Sequence, residues 1–272
     1  MHIGVIGNGV VGSRIAKAYE SKGCQVSVYD TNPERCRNTM MDLFGAKGIF
    51  ICVPTPTDGY KQDSSPLYCA LDLLLGYKGI IIIKSTVLPG TTDRLAAKFP
   101  EMKIVHSPEF LNEFGGVEDI TRAPQIIVGC DEDEAKDVVP IFAPFFDHCL
   151  WRIVSRRESE TIKYACNVFY SVKNAFFNFL RLFCEVQDVD YETVRLAAIR
   201  NGWIHPMHTF SPGRDGLRGF GGACLPKDLA AFIGATENSG LNRFLKEIEA
   251  FNGYLRKMPT EHEDKRWEQY FS

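Results

Sequence analysis

The sequence predicts an α/β protein: a doubly wound parallel sheet followed by an all-helical domain with one long central helix. Three observations carry this expectation. Short, almost unbroken apolar runs alternate with helical patterns through the first half of the chain. A glycine turn joins the first run to the first helix, and after Ser155 long helical segments take over. With 272 residues, at roughly 100–200 per domain, we expect a sheet domain over 1–155 and a helical catalytic and dimerisation domain over 156–272.

Taken in order, HIGVI (2–6) is the first strand, and a helix runs from Val10 to about Ser21. QVSVY (25–29) is the second strand and ends at Asp30. Further strands are expected at 48–53, 79–83, 103–106, 125–129 and 151–154. Leu and Ala at helical spacing mark helices in SPLYCALDLLL (65–75) and TTDRLAAKF (91–99). Beyond Ser155, helices are expected over about 157–186, 189–200, 226–238 and 241–256. The charged end, TEHEDKRWEQYFS, reads as a solvated terminal helix or tail.

Composition excludes several classes. Lys and Arg total 31 against 34 Asp and Glu, so no basic excess exists to neutralise a nucleic acid. No run reaches the ~18 apolar residues of a membrane span, and the N-terminus shows no signal-peptide pattern. Nine Cys, none in a C-x-x-C pair, argue against a zinc ribbon or a disulfide framework. The expectation is a soluble cytoplasmic protein in a reducing compartment, with no metal site.

The first motif is GNGVVG (7–12), directly after a strand and opening a helix. Gly7 permits the tight turn, Gly9 lets the backbone approach a pyrophosphate, and Gly12 lets helix and strand pack closely. The helix N-terminus offers unpaired N–H groups to phosphates around Asn8, Val10 and Val11. Asp30, 18 residues past Gly12, stands where an acid hydrogen-bonds the adenosine ribose and repels a 2′-phosphate. A Rossmann-type domain binding NAD in preference to NADP follows, although Arg35 nearby softens the preference. Two more loops follow strands: VPTP (53–56) and KSTVLPG (84–90). Each reads either as a ligand loop or as a well-made turn. In SPEFLNE (107–113), Glu109 and Glu113 stand four apart, on one side of a helical turn or as an ordinary solvated pair.

The long helix carries a second pattern. Glu160, Lys163, Asn167, Ser171, Asn174 and Asn178 fall within an arc of roughly 80° on an otherwise apolar helix. Buried polar groups in such a stripe need partners or a ligand, and Lys163 with Asn167 is read as a site. So apolar a helix is expected to be buried on most sides, partly against another subunit. Finally, RGFGGACLPKD (218–228) places Cys224 at a helix start, with Pro226 in the first turn, Lys227 close by and Asp228 one turn on. A thiol there has the features of a reactive thiolate. The other eight Cys read as small core residues.

GNGVVG, VPTP, KSTVLPGT, SPEFLNE, E-x-x-K-Y-A-x-N and GFGGACLPKD occur in the same order in the UDP-glucose/GDP-mannose dehydrogenase family, which this chain resembles from Met1 to about Asp228. The resemblance implies an NAD-dependent oxidation of a nucleotide sugar's C6 alcohol to the acid, in two hydride transfers. It implies Cys224 as nucleophile, Lys163 as an acid/base group that stabilises an oxyanion, and Glu109 as base in thioester hydrolysis. Thr86, Asn167 and Asp228 would position water and substrate. Glu113, Lys227 and the Val53–Pro54–Thr55 and Ser85–Thr86 segments would contact the cofactor. Phe110 and Leu111, with Phe220, Gly221 and Gly222, would line the sugar site.

Two departures bear on the substrate. Trp203 stands where the family pattern leads one to expect an Arg, and Phe179 where relatives tend to carry a Glu. The chain is read as a short form without the family's C-terminal nucleotide-binding domain, dimerising through the helix near 157–186. The alternatives are a two-electron dehydrogenase of a smaller hydroxy substrate and an inactive NAD-binding protein.

Overall fold

A computed structural model describes residues 1–111, 115–148 and 150–259. The chain divides into two compact units: Met1–Pro56 with Gln62–Tyr164, and Thr57–Lys61 with the chain from Ala165 onward. The division falls inside the long helix rather than at its start.

In order, the elements are β1 (His2–Ile6), α1 (Val10–Ser21), β2 (Gln25–Tyr29), α2 (Met40–Leu43), β3 (Gly48–Ile51), β4 (Thr57–Asp58), β5 (Lys61–Gln62), α3 (Ser65–Asp72) and β6 (Ile80–Ile83). Then come α4 (Thr91–Lys98), β7 (Lys103–His106), α5 (Glu118–Thr121), β8 (Gln125–Gly129), α6 (Glu132–Phe142) and β9 (Leu150–Val154). Four helices close the described chain: α7 (Arg156–Val186), α8 (Tyr191–Arg200), α9 (Leu225–Ala235) and α10 (Arg243–Leu255).

The first unit holds a seven-stranded sheet in the order β2-β1-β3-β6-β7-β8-β9. It is the expected doubly wound sheet with one local exception: β8 meets β7 antiparallel, through the pair His106↔Gly129, while all other neighbours are parallel. The near-continuous apolar runs are explained by cover on both faces. Ile80 and Ile82 join Val5, Phe50 and Val128 in a core with Tyr19 of α1 and Phe142 of α6. Ile81 and Ile83, one residue out of phase, pack with Leu67 and Leu71 of α3 and Leu95 of α4. The α3 pattern outruns its helix: Leu73 and Leu75 lie past the last helical residue and are exposed.

In the second unit, Phe220, Leu229, Ile233 and Leu245 form one apolar cluster and Phe177, Cys184 and Tyr191 another. The β4–β5 hairpin, invisible in the sequence pattern, lies on α9. There Gly234 is required, because a Cβ would stand 2.0 Å from the Tyr60 carbonyl oxygen.

The polar stripe of α7 is buried, as expected: Glu160, Lys163, Asn167, Ser171, Asn174 and Asn178 all are. Burial of the helix on most sides is not seen within the chain. Its phenylalanines Phe169, Phe176, Phe179 and Phe183 are each more than half exposed. The buried face mixes the polar groups, which find partners inside the fold, with Tyr164, Ala175, Phe177 and Cys184.

Candidate active site

In the first unit, the order reverses between β1 and β3, the place where open α/β sheets bind ligands. Gly7 follows β1 there with φ +91°, and a Cβ on it would stand 2.6 Å from the Cys52 carbonyl oxygen. A Cβ at Gly12 would lie 1.9 Å from the Gly7 carbonyl oxygen, so α1 packs on the turn as closely as glycine alone permits. Gly9 caps α1 without a side-chain hydrogen bond and faces open space. The first turn of α1, opening at Val10 and Val11, thus carries no side-chain cap, as a pyrophosphate requires. The Asp30 carboxylate accepts the Asn8 N–H at 2.6 Å and the Asn32 N–H at 2.8 Å, which fixes it at the end of β2. Asn8 Nδ2 donates to the Arg35 carbonyl at 2.6 Å. A glycine cradle with an oriented acid fits a dinucleotide carrying a free ribose diol.

The two loops that follow β3 and β6 are stitched together. Ser85 Oγ donates to the Val53 carbonyl at 2.6 Å, and Thr55 Oγ1 to the Thr86 carbonyl at 2.7 Å. These two hydroxyl protons are therefore committed to backbone and not directed at a ligand. Gln62, which the sequence reading passed over, donates to the Thr86 carbonyl and the Tyr164 hydroxyl and accepts the Leu88 N–H. A lone Gln beside a turn gave no signal.

Lys163 and Glu109 meet. The Lys163 ammonium donates to Glu109 Oε1 at 2.9 Å and to the Glu109 carbonyl at 2.5 Å, and sits 5.2 Å from the Phe110 ring centroid. Glu109 Oε2 accepts the Leu111 N–H at 2.7 Å. Burial pushes the Glu109 carboxyl up, but Lys163 and the Leu111 N–H outweigh it and leave its pKa below the usual range. Residues 107–111 are not helical; Glu113, the other member of the expected pair, lies outside the described residues.

Lys84 was also missed. Its ammonium donates to Ser107 Oγ at 3.2 Å and the Pro108 carbonyl at 3.0 Å, and burial pulls its pKa down to about 8. A lysine closing the strand-ending motif after GIIII was the available signal. Glu160 of the stripe serves structure: its carboxylate accepts the Gly90 and Thr92 N–H groups at 2.5 and 2.7 Å.

In the second unit, Cys224 is the N-cap of α9, exposed, with Pro226 in the first turn. Asp228 is buried, and its Oδ2 accepts from Asn167 Nδ2 at 2.6 Å while Oδ1 accepts from the Lys227 ammonium at 2.5 Å. Asp228 Oδ2 holds Asn167 in one rotamer, and Lys227 is turned onto Asp228. The Phe220 ring lies in the helical core, and its backbone N–H and carbonyl are both bonded to the Asn252 side chain. Gly222 has φ +77° and is exposed, whereas Gly221 lies against the Arg256 guanidinium, 2.8 Å from where its Cβ would be. Of the other cysteines, Cys130 and Cys184 are buried as expected, but Cys69 is exposed on the outer face of α3. The apolar neighbours of Cys69 in sequence belong to the opposite helix face.

Fold and glycine cradle define the first unit as an NAD-binding domain of the Rossmann type. The comparisons place it further. Residues 37–146 match the NAD binding domain of the UDP-glucose/GDP-mannose dehydrogenase family, and residues 157–254 match its central domain. Residues 2–45 match the NAD binding domain of 3-hydroxyacyl-CoA dehydrogenase. The chain belongs to the UDP-glucose/GDP-mannose dehydrogenase family.

It is similar to the UDP-glucose 6-dehydrogenase of Pseudomonas aeruginosa (32% identical, covering 79% of this chain and 50% of that one). The corresponding protein of Rhizobium meliloti is 31% identical over 68% of this chain and 45% of its own. The chain spans about half the length of the curated relatives it matches. Among solved structures, a UDP-glucose dehydrogenase from Pyrobaculum islandicum superposes with a TM-score of 0.82 at 26% identity, covering 93% of this chain and 68% of that one. A 3-hydroxyisobutyrate dehydrogenase from Mycobacterium tuberculosis, at 17% identity and a TM-score of 0.69, shares the fold alone. Among the described residues, no helix is long and apolar enough to cross a membrane.

Proposed function

We propose that the chain oxidises the C6 alcohol of a nucleotide sugar, UDP-glucose or a close analogue, to the uronic acid in two successive two-electron steps. The observation that carries this reading is an exposed cysteine at the N-cap position of a helix in a chain similar to UDP-glucose 6-dehydrogenases. Bound NAD supplies a hydride acceptor for each oxidation. An alcohol yields an aldehyde once a base takes its proton, but an aldehyde has no second hydride to give until a nucleophile adds to it. Cys224 Sγ, as thiolate, adds to the carbonyl carbon and leaves a thiohemiacetal whose C–H can be oxidised to a thioester.

Lys163 has three N–H donors and spends two on Glu109, so one remains for the substrate oxygen as it becomes an alkoxide. Glu109, kept ionised, accepts the proton of the water that cleaves the thioester and releases the thiolate. Asn167, oriented by Asp228, and Thr86 position substrate and water. Gly7, Asn8, Gly9, Val10, Val11 and Gly12 hold the pyrophosphate and Asp30 the ribose. Arg35, Val53, Pro54, Thr55, Ser85, Glu113 and Lys227 complete the cofactor contacts. Phe110, Leu111, Gly221 and Gly222 line the sugar site.

The chain works as a homodimer along α7. Phe169, Phe176 and Phe183 recur every seven residues, and Phe179 and Val186 stand three past the latter two, all more than half exposed. Such a seam is self-complementary about a two-fold axis. None of the eight described cysteines is in a disulfide, in keeping with a reducing cytoplasm.

The test is incubation with NAD and a panel of UDP-, GDP- and dTDP-sugars. NADH release with one of them supports the reading. Tight NAD binding without reduction by any of them favours a binding protein instead.

A further inference from the structure

We infer that Asn178 of α7 and Asn252 of α10 are positioning residues for Cys224, acting by clamping the backbone of Gly219–Phe220. The inference rests on the reading of Cys224 as nucleophile and adds two residues to it. Asn252 is buried, and its side-chain amide pairs with one peptide in both senses: Oδ1 accepts the Phe220 N–H at 2.7 Å, and Nδ2 donates to the Phe220 carbonyl at 3.0 Å. Asn178, also buried, accepts the preceding N–H, that of Gly219, on Oδ1 at 2.9 Å, together with Ser211 Oγ at 2.6 Å. Its Nδ2 donates to Asn174, so the Asn178 amide cannot turn without breaking four contacts.

Two consecutive N–H groups of one loop are thus held by two different helices. Gly219 has φ +77°, and a Cβ there would stand 2.3 Å from Asn252 Oδ1, so the clamp closes only on glycine. The Phe220 ring is buried in the helical cluster and holds the same point from the other side.

From Phe220 the chain reaches Cys224 through Gly221, Gly222 and Ala223 only. Gly222 and Ala223 are exposed, and Gly222 again has positive φ. Beyond Cys224 the chain is fixed once more by α9, whose Asp228 N–H donates to the Cys224 carbonyl at 2.9 Å. A loop of permissive residues delivers the thiol, and its fixed points are the clamp on one side and the helix on the other. Without the clamp the thiol keeps its helix but loses its direction. A bound geometry displaced by about an ångström is enough to cost catalysis heavily.

The test reads Cys224 directly. Asn252→Asp keeps the size and the acceptor but removes the donor facing the Phe220 carbonyl. Iodoacetamide labelling of Cys224, followed by peptide mass as a function of pH, is compared between the wild type and this variant, with Asn178→Asp alongside. The expected result is a change of about fivefold or more in the labelling rate, with kcat down about tenfold and NAD affinity unchanged.

A lowered thermal midpoint with labelling and kcat both at wild-type values overturns the inference, because it shows a purely structural role. If the Asp variants do not fold, Asn252→Ser, which keeps a polar group, is read in the same two assays by the same criteria. Labelling tests the clamp even where turnover proves independent of Cys224, so failure of the clamp and failure of the proposed reaction are distinguishable.

Discussion

Lys163 and Glu109 are each nearly buried, at 6% and 13% side-chain exposure, and form an ion pair at 2.9 Å in which Lys163 is the largest charge acting on Glu109. Removing one charge of such a pair strands the other, so Lys163→Met is expected to destabilise the protein by about 3 kcal/mol. Adding Glu109→Gln recovers part of that loss, and urea titrations of the two singles and the double measure the coupling. His106 is fully buried, with Nδ1 2.8 Å from Ser159 Oγ, and burial followed by the Lys84 charge lowers its pKa from 6.5 to about 3. The unfolded chain therefore takes up a proton that the folded chain refuses as pH falls from about 6.5 toward about 3, and stability drops across that window. His106→Gln should flatten this part of the curve of urea midpoint against pH. Neither residue pair was legible in full: Lys163 and Glu109 were each singled out from local context, but 54 positions separate them and no periodicity links them.

At the scale of elements, the strands of the seven-stranded sheet and the helices α1, α3, α4 and α7–α10 were legible to within a few residues, whereas α2, α5 and α6 were not singled out. Apolar runs such as IIII at 80–83 leave little choice when both sheet faces are covered. The glycine turn was legible because each glycine has a separate steric reason, and Gly12 gives the sharpest test. With a Cβ placed 1.9 Å from the Gly7 carbonyl oxygen, Gly12→Ala must push α1 off the turn. NAD affinity should fall by roughly five- to a hundredfold by calorimetry, since overpacking costs about 1–3 kcal/mol. The antiparallel β7–β8 pairing was not legible, because a buried strand reads the same in either direction. Nor was the hairpin at 57–62, whose strands are two residues each and carry no pattern. The α7 stripe was legible both as an arc and as a buried one, but the exposure of the phenylalanines on the other side was not. Six polar side chains, each with partners to find, take the interior and leave four Phe outside.

For the whole molecule, those phenylalanines make an oligomeric claim. Replacing Phe176 and Phe183 by Asp places charges along the α7 seam and should convert a dimer to a monomer in sedimentation equilibrium at micromolar concentration, with the helical circular dichroism retained. A wild-type monomer under the same conditions removes the claim. The larger claim is the four-electron reaction, and NADH released per molecule of nucleotide sugar consumed tests it most directly, with the wild type and Cys224→Ser run side by side. The account predicts two NADH and an acid product for the wild type, and a serine variant that stalls once aldehyde has formed. One NADH per sugar from the wild type, with the variant equally active, would contradict it.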